Sequence, residues 1–341
     1  MTPSPLVGEG IRSETLVPAM LPFQSVSFTA VQPGKRVLFT GAVHGNELAG
    51  MHGIRRVIAE IESGQLEIAR GSVTFVPITN PMAYAMKRRI GDRNLNRNLQ
   101  PTDTPTEFED HIANWLCPLM AKHEVLLDLH SFQAQGQAFV MVGPENNSGS
   151  LEPTVHGDTE RDWALRLGVR RAVDGWLGTY AAGVEERRAR AAKLDPTACK
   201  RHDLDPKYGV GTTEYMRSTG GMALTLECGQ HEDPNGPEVA YRAIRNTLAL
   251  FELTDDAKPP LAVNAEGLRI AKVIDKFDKT DAFSRAWQSF DSLKAGELIG
   301  TRTNGEIVTA PTDGCILFPN AVAEANHEWF YLAQTNARFN T

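Results

Sequence analysis

The chain has 341 residues, 41% hydrophobic and 23% charged, which is enough to bury a large core and matches an ordinary globular protein. A formal net charge of −7 excludes the basic footprint of a nucleic-acid binder and the Lys/Arg excess of a membrane-surface protein. It leaves room for an anionic small substrate, because a few local arginines outweigh distant surface charge. Cys117, Cys199, Cys228 and Cys315 are scattered with no C-x-x-C pair, so reduced thiols are expected rather than disulfides or a cysteine–zinc site. The first residues lack the basic and apolar regions of a secretion signal, and no apolar run reaches membrane-spanning length. A cytoplasmic protein is the expectation.

Residues 1–20 are rich in Pro and Gly and are expected to wander over the surface. Phe23 to Val31 reads as a first strand and Arg36 to Thr40 as a second. Leu48, Met51, Ile54, Val57, Ile58 and Ile61 recur at spacings of three and four, an amphipathic helix. Ser72 to Ile78 is a β-branched run and a buried strand. Thr79 to Leu99, dense in Arg, Asn and Gly, reads as a long functional loop. Thr106 to Lys122 is a helix with Thr106 and Glu109 as its capping box. Strands are expected at Glu124 to Leu129 and Gln137 to Val142. Helices follow over Asp158–Val173 and Thr179–Ala192, then an irregular stretch from Asp195 to Thr219. Met222 to Glu227 is a strand, and Pro237 to Leu253 a helix opened by proline. Strands alternating with helices predict a mostly parallel sheet covered on both faces. Asp255 to Pro260 is the predicted boundary between a domain over 1–256 and a small antiparallel β-domain over 261–341. The latter is read from short strands at Leu268–Phe277, Glu297–Thr301, Glu306–Thr309, Gly314–Phe318 and Glu328–Ala333.

The chemistry concentrates at strand ends. His44 and Glu47 stand three apart in His44-Gly45-Asn46-Glu47, directly after the second strand. Open α/β sheets bind ligands at that edge. An imidazole and a carboxylate are two thirds of a catalytic zinc site, and Gly45-Asn46 lets the backbone turn sharply between them. His130 closes the run Leu126-Leu127-Asp128-Leu129-His130, and alternation places Asp128 on its side, where it can orient the imidazole. Glu227 closes a third strand and is a candidate base. The remaining histidines (His52, His111, His123, His156, His202, His231 and His327) have no comparable setting and read as solvated or structural.

The loop then completes a pattern: Asn80-Pro81, Arg89, and Asp92-Arg93-Asn94-Leu95-Asn96-Arg97. Together with His44–Glu47, Asp128–His130 and Glu227-Cys228-Gly229, it resembles the aspartoacylase and succinylglutamate desuccinylase family of the zinc carboxypeptidase fold group. The motifs stand in order from residue 44 to 229. The resemblance implies an α/β fold, a zinc carboxypeptidase-like mixed sheet with helices on both faces plus a small C-terminal antiparallel β-domain. It implies one Zn²⁺ per chain on His44, Glu47 and His130, with Glu227 as general base. It implies that Arg89 polarises the scissile carbonyl, and that Asn96, Arg97 and Arg217 hold the substrate carboxylate. Three features depart from the family pattern. Asn94 replaces the second aspartate, Gln230-His231 replaces Pro-Gln, and Asn326 and His327 stand where some members contribute a tyrosine.

The leading expectation is therefore a zinc-dependent hydrolase of an N-acyl amino acid or related small acylated carboxylate, without nucleic-acid or membrane partners and with a homo-oligomer open. The runner-up keeps the site and changes the bond, as an ester hydrolase or a metallocarboxypeptidase. A non-catalytic binding module predicts loss of a ligand or of the base, and all four are present. A serine hydrolase is disfavoured because no G-x-S-x-G elbow occurs.

Overall fold

The apolar runs of the sequence become the centre of one mixed sheet because both faces of that sheet are covered. The computed structural model describes residues 22–194 and 205–340. The expected surface leader over 1–20, and the part of the irregular stretch that carries Cys199 and His202, lie outside the described residues. In chain order the first elements are β1 (Val26–Thr29), β2 (Gln32–Gly41), α1 (Ala49–Glu62), β3 (Arg70–Val76), α2 (Pro81–Ala85), α3 (Phe108–Met120), β4 (Val125–Phe132) and β5 (Phe139–Val142). There follow α4 (Gly157–Ala164), β6 (Arg171–Asp174), α5 (Trp176–Leu194), α6 (Thr212–Ser218), β7 (Met222–Gln230) and α7 (Gly236–Leu250). The C-terminal strands are β8 (Glu266–Asp275), β9 (Ala282–Phe283), β10 (Ser292–Leu293), β11 (Leu298–Thr301), β12 (Ile307–Thr309), β13 (Gly314–Leu317) and β14 (Glu328–Thr335).

The large sheet has 11 strands in the order β1-β3-β2-β4-β7-β5-β6-β8-β14-β13-β10. Its centre, β3-β2-β4-β7, is parallel. The edge strand β1, the β5–β7 pair and the run from β8 to β10 are antiparallel. Alternate residues of the central strands face opposite helix layers. Val37, Phe39, Leu127 and Leu224 pack with Ile54 of α1 and Ile244 of α7, whereas Leu38, Leu126 and Ala223 pack with Ile112 and Leu116 of α3 and Met216 of α6. A strand buried on both sides reads as a continuous apolar run. The strands beyond residue 260 continue the same sheet through the parallel β6–β8 pair. A separate three-stranded sheet, β12-β11-β9, packs its Ile299 and Val308 with Trp287, Trp329 and Phe330.

Several local readings are corrected. The helix expected over Asp158–Val173 ends at Ala164, and Arg171–Asp174 is strand β6 between β5 and β8. A short apolar run cannot be told from a helix by periodicity, and here sheet partners decide. The loop 79–99 contains α2, capped by the Asn80 side chain accepting from Ala83 N–H at 3.0 Å. The irregular stretch before residue 219 contains α6. The cap of α3 is not Thr106–Glu109. The N-cap is Glu107, whose N–H donates to the Asp110 carboxylate at 3.1 Å, and Glu109 is fully buried elsewhere.

Candidate active site

The motif His44–Glu47 lies in a turn just past β2 rather than in the first turn of α1. The turn is built by its neighbours. Ala42 takes a left-handed φ of 47°, and the segment after β3 holds the strand end, with Thr79 N–H donating to Gly41 O at 2.9 Å and Asn80 N–H to Ala42 O at 3.0 Å. Gly45 is required by close approach: a Cβ there would stand 2.0 Å from the Ala83 carbonyl carbon. His130 lies on β4 in parallel register with Glu227 on β7, so the strands bring the third candidate ligand and the second glutamate side by side.

His44, Glu47 and His130 are all buried, and their candidate ligand atoms lie within 4.8 Å of one another. His44 Nδ1 is 2.8 Å from Glu47 Oε1, and His130 Nδ1 is 2.8 Å from Glu47 Oε2. The far nitrogens are held. His130 Nε2 lies 2.8 Å from Asp128 Oδ2, and Asp128 is itself fixed by the Thr40 hydroxyl at 2.6 Å and by the Thr212 hydroxyl. His44 Nε2 lies 3.0 Å from Asn94 Oδ1, which also accepts the Asn96 N–H at 2.9 Å. That second donor identifies the atom as the amide oxygen, so His44 donates from Nε2 and its Nδ1 keeps a lone pair. His44 Nδ1 indeed makes no hydrogen bond despite its short distance to Glu47.

His130 Nδ1 is hydrogen-bonded to Glu47 Oε2, whereas the unpartnered Nδ1 lone pair of His44 faces Glu47 Oε1, a contact that a bound cation would relieve. Two imidazoles and one carboxylate, each braced from outside, form a donor set suited to a divalent ion such as zinc with a position left open. Burial and Arg89 push His44 down to about 4, which keeps it neutral. Burial opposes the charge of Glu47, but His44 and His130 outweigh it and hold that carboxyl well below its ordinary value.

Glu227 faces the same space. It is buried, its Oε2 has no hydrogen-bond partner among the described residues, and burial pushes it up to about 8 against the opposing pull of His130. Arg89 is half exposed and donates from NH1 to Glu47 Oε1 at 2.7 Å. Asn96 turns its oxygen to the Thr212 N–H at 2.9 Å, leaving its NH₂ group. The Arg97 guanidinium lies 4.7 Å from the Trp176 ring and 5.4 Å from the Tyr180 ring, and donates to Asn96 O. No carboxylate among the described residues lies within 4.0 Å of it. These groups line a cavity of about 1080 Å³.

Arg217 also borders the cavity, but each of its nitrogens already donates within the protein. Nε pairs with Glu160 at 2.9 Å, NH1 with Glu152 at 2.6 Å, and NH2 with Ala223 O at 2.6 Å. Sequence reasoning passed over three contributors. Asn94 entered only as a departure from a pattern, yet it orients His44. Thr212 ties α6 to both Asp128 and Asn96, with no local sequence signal. His231 lines the cavity and its Nδ1 lies 2.9 Å from the Ser131 hydroxyl, so it is neither solvated nor remote.

Residues 33–144 match the family model described as the succinylglutamate desuccinylase/aspartoacylase catalytic domain. The chain is 23% identical over 301 residues to a succinylglutamate desuccinylase of Shewanella frigidimarina, covering 87% of this chain and 81% of that one. In fold it is similar to a succinylglutamate desuccinylase/aspartoacylase from Rhodobacter sphaeroides, with a TM-score of 0.66, 15% identity and 92% and 90% of the two chains covered. It is likewise similar to the product-bound ectoine utilization protein of Ruegeria pomeroyi, with a TM-score of 0.66, 16% identity and 91% and 88% covered. The zinc carboxypeptidase-like α/β fold, the ordered motifs and the matched catalytic segment agree: residues 33–144 match the catalytic-domain model of the succinylglutamate desuccinylase/aspartoacylase family, and the chain as a whole is similar in sequence and fold to members of that family.

Proposed function

We propose that the protein is a zinc-dependent deacylase that hydrolyses the amide bond of an N-acyl amino acid or a closely related small acylated carboxylate. The observation that carries this reading is the convergence of the two Nδ1 atoms and Glu47 beside Glu227, a buried carboxylate with a free oxygen. Zinc held by His44, Glu47 and His130 would supply Lewis acidity and lower the pKa of water to about 7.

The chain's own residues do the rest. Glu227 accepts the proton of the attacking water at its free oxygen and returns it to the leaving amine as the C–N bond breaks. A carboxyl pushed up to about 8 suits both transfers near neutral pH. Arg89 spends one donor on Glu47 and keeps others for the carbonyl oxygen, where one well-placed donor contributes about 3–4 kcal/mol to the transition state. Arg97 anchors the substrate carboxylate, helped by the Asn96 NH₂ group, because its cation is braced by aromatic rings and, although Glu328 acts on it from a distance, has no carboxylate within 4.0 Å. Arg217 serves instead as the counter-ion of a buried acidic cluster.

The test is a panel of N-acyl amino acids, esters and dipeptides assayed with metal analysis. About one zinc per chain and preferred amide turnover are expected. Glu227→Gln is expected to keep the metal and lose about 10²–10⁴-fold in kcat. A protein without divalent metal, or an active Glu227→Gln variant, refutes the mechanism. Preferred ester or dipeptide turnover moves the substrate class.

A further inference from the structure

The base of the arginine loop hangs on a buried carboxylate that the reaction scheme does not use. Glu109, in the first turn of α3, is 0% exposed. Its Oε1 accepts the Gly91 N–H at 2.9 Å and the Asn80 NH₂ group at 2.9 Å, and its Oε2 accepts the N–H groups of Asp92 and Arg93, each at 3.1 Å. No lysine, arginine or histidine among the described residues pairs with it. Three successive backbone amides turned onto one anion form a nest, with the side chain of Asn80 as the fourth donor.

A buried carboxylate is tolerated only where its hydrogen-bonding capacity is met, so this one fixes the path of the backbone that meets it. The loop is clasped reciprocally. Asp92 Oδ2 accepts the Phe108 N–H at 2.8 Å, and Arg93 pairs with Asp110 at 2.9 Å. Asn80 joins the same anion to the cap of α2, whose backbone crowds Gly45. Arg89 lies two residues before the nest. Its carbonyl receives the Gly45 N–H at 3.4 Å and its guanidinium reaches Glu47. Gly91 is where the nest is tightest, since a Cβ there would stand 2.6 Å from Glu109 Oε1.

We propose that Glu109 is a positioning residue: its carboxylate nests the amides of residues 91–93 and thereby sets Arg89 against Glu47 and the reacting carbonyl. The kinetic part of this proposal rests on the deacylase reading. The structural part does not.

The experiment compares Glu109→Gln and Gly91→Ala with the wild-type full chain. Gly91→Ala pushes the loop off the anion while leaving the buried charge in place, so it decides the matter if the glutamine variant does not fold. Amide hydrogen exchange, zinc content and steady-state kinetics are measured on each. Exchange at residues 91–93 is expected to accelerate at least tenfold (our threshold), with β2 and β4 unchanged and zinc retained. In the same variants kcat falls about 100-fold, the scale of a misplacement near 1 Å, with the smaller change in KM. Unchanged exchange in both variants overturns the nest. Faster exchange with unchanged kcat overturns the positioning role. Faster exchange in a protein whose wild type turns over no acylated substrate upholds the nest and sinks the deacylase reading.

Discussion

Two arginines are candidates to hold the carboxylate of the proposed substrate, and they differ in what each already holds. Arg217 is buried between Glu160, which is 0% exposed, and Glu152, so replacing it with methionine strands an uncompensated buried carboxylate. Breaking such a pair from one side costs about 3–5 kcal/mol. At roughly 2.1 cal/mol/K of unfolding entropy per residue, a chain of 341 residues unfolding as one unit would lose about 4–7 °C in Tm. The KM of the folded variant should stay within about threefold, well under the tenfold that 1.4 kcal/mol of lost binding would give. Arg97→Met should do the reverse. It breaks no ion pair within 4.0 Å, and Glu328, on which Arg97 acts, keeps Arg187 at 3.5 Å, so Tm should move less than in Arg217→Met. It removes charge-assisted hydrogen bonds of about 1.5–3 kcal/mol, and KM should rise about 10- to 150-fold. Differential scanning calorimetry and steady-state kinetics on both variants decide the matter. An Arg217→Met protein of unchanged Tm whose KM rises 30-fold would make Arg217 the anchor and refute the assignment.

Three further outcomes follow from other parts of the molecule. Burial pushes Glu152 up to about 7, with Glu214 and Glu160 adding to the rise and Arg217 opposing it. A carboxyl raised on folding gives stability that is present below its unfolded pKa near 4.5 and is lost as pH rises through about 7. Glu152→Gln should therefore gain on wild type in Tm between pH 5 and pH 8, and a pH-independent difference would sink this account. Asn94→Ala and Asp128→Asn remove the groups that orient the two imidazoles, so zinc affinity measured by competition with a chelator should fall about 10- to 100-fold; unchanged affinity would show that the bracing is dispensable. Gly45→Ala drives a methyl group into the Ala83–Tyr84 backbone, and chemical denaturation should show a loss of at least about 1–3 kcal/mol; a neutral effect would mean α2 can move away.

How much of the site was legible in the sequence depends on what each residue does. His44, Glu47, His130 and Glu227 could be read as candidates that meet in space because ligands and bases are drawn from few residue types and lie at strand ends marked by apolar runs. Of the residues that hold them, Asp128 could be read from strand alternation beside His130, and the others could not. Asn94, Thr40 and Thr212 are ordinary polar residues whose value is a hydrogen bond to a partner far along the chain, as in the Thr212 contact to Asp128 across a separation of 84. Glu109 was read as a helix cap because Thr-x-x-Glu is a local signal, but the loop amides won its carboxylate.

By itself the sequence determined most of the elements that bury apolar surface, β6 and α6 excepted, and the donors that can meet a cation. Periodicity and donor chemistry are local properties, so they survive without a fold. Only the tertiary structure decided which of those donors meet and which arginine remains available. The β4–β7 register sets His130 beside Glu227, and the position of α4 gives Glu160 to Arg217 and leaves Arg97 open to the cavity. Pairing across the sheet and neutralisation of a buried charge depend on residues distant in sequence, and packing alone brings them together.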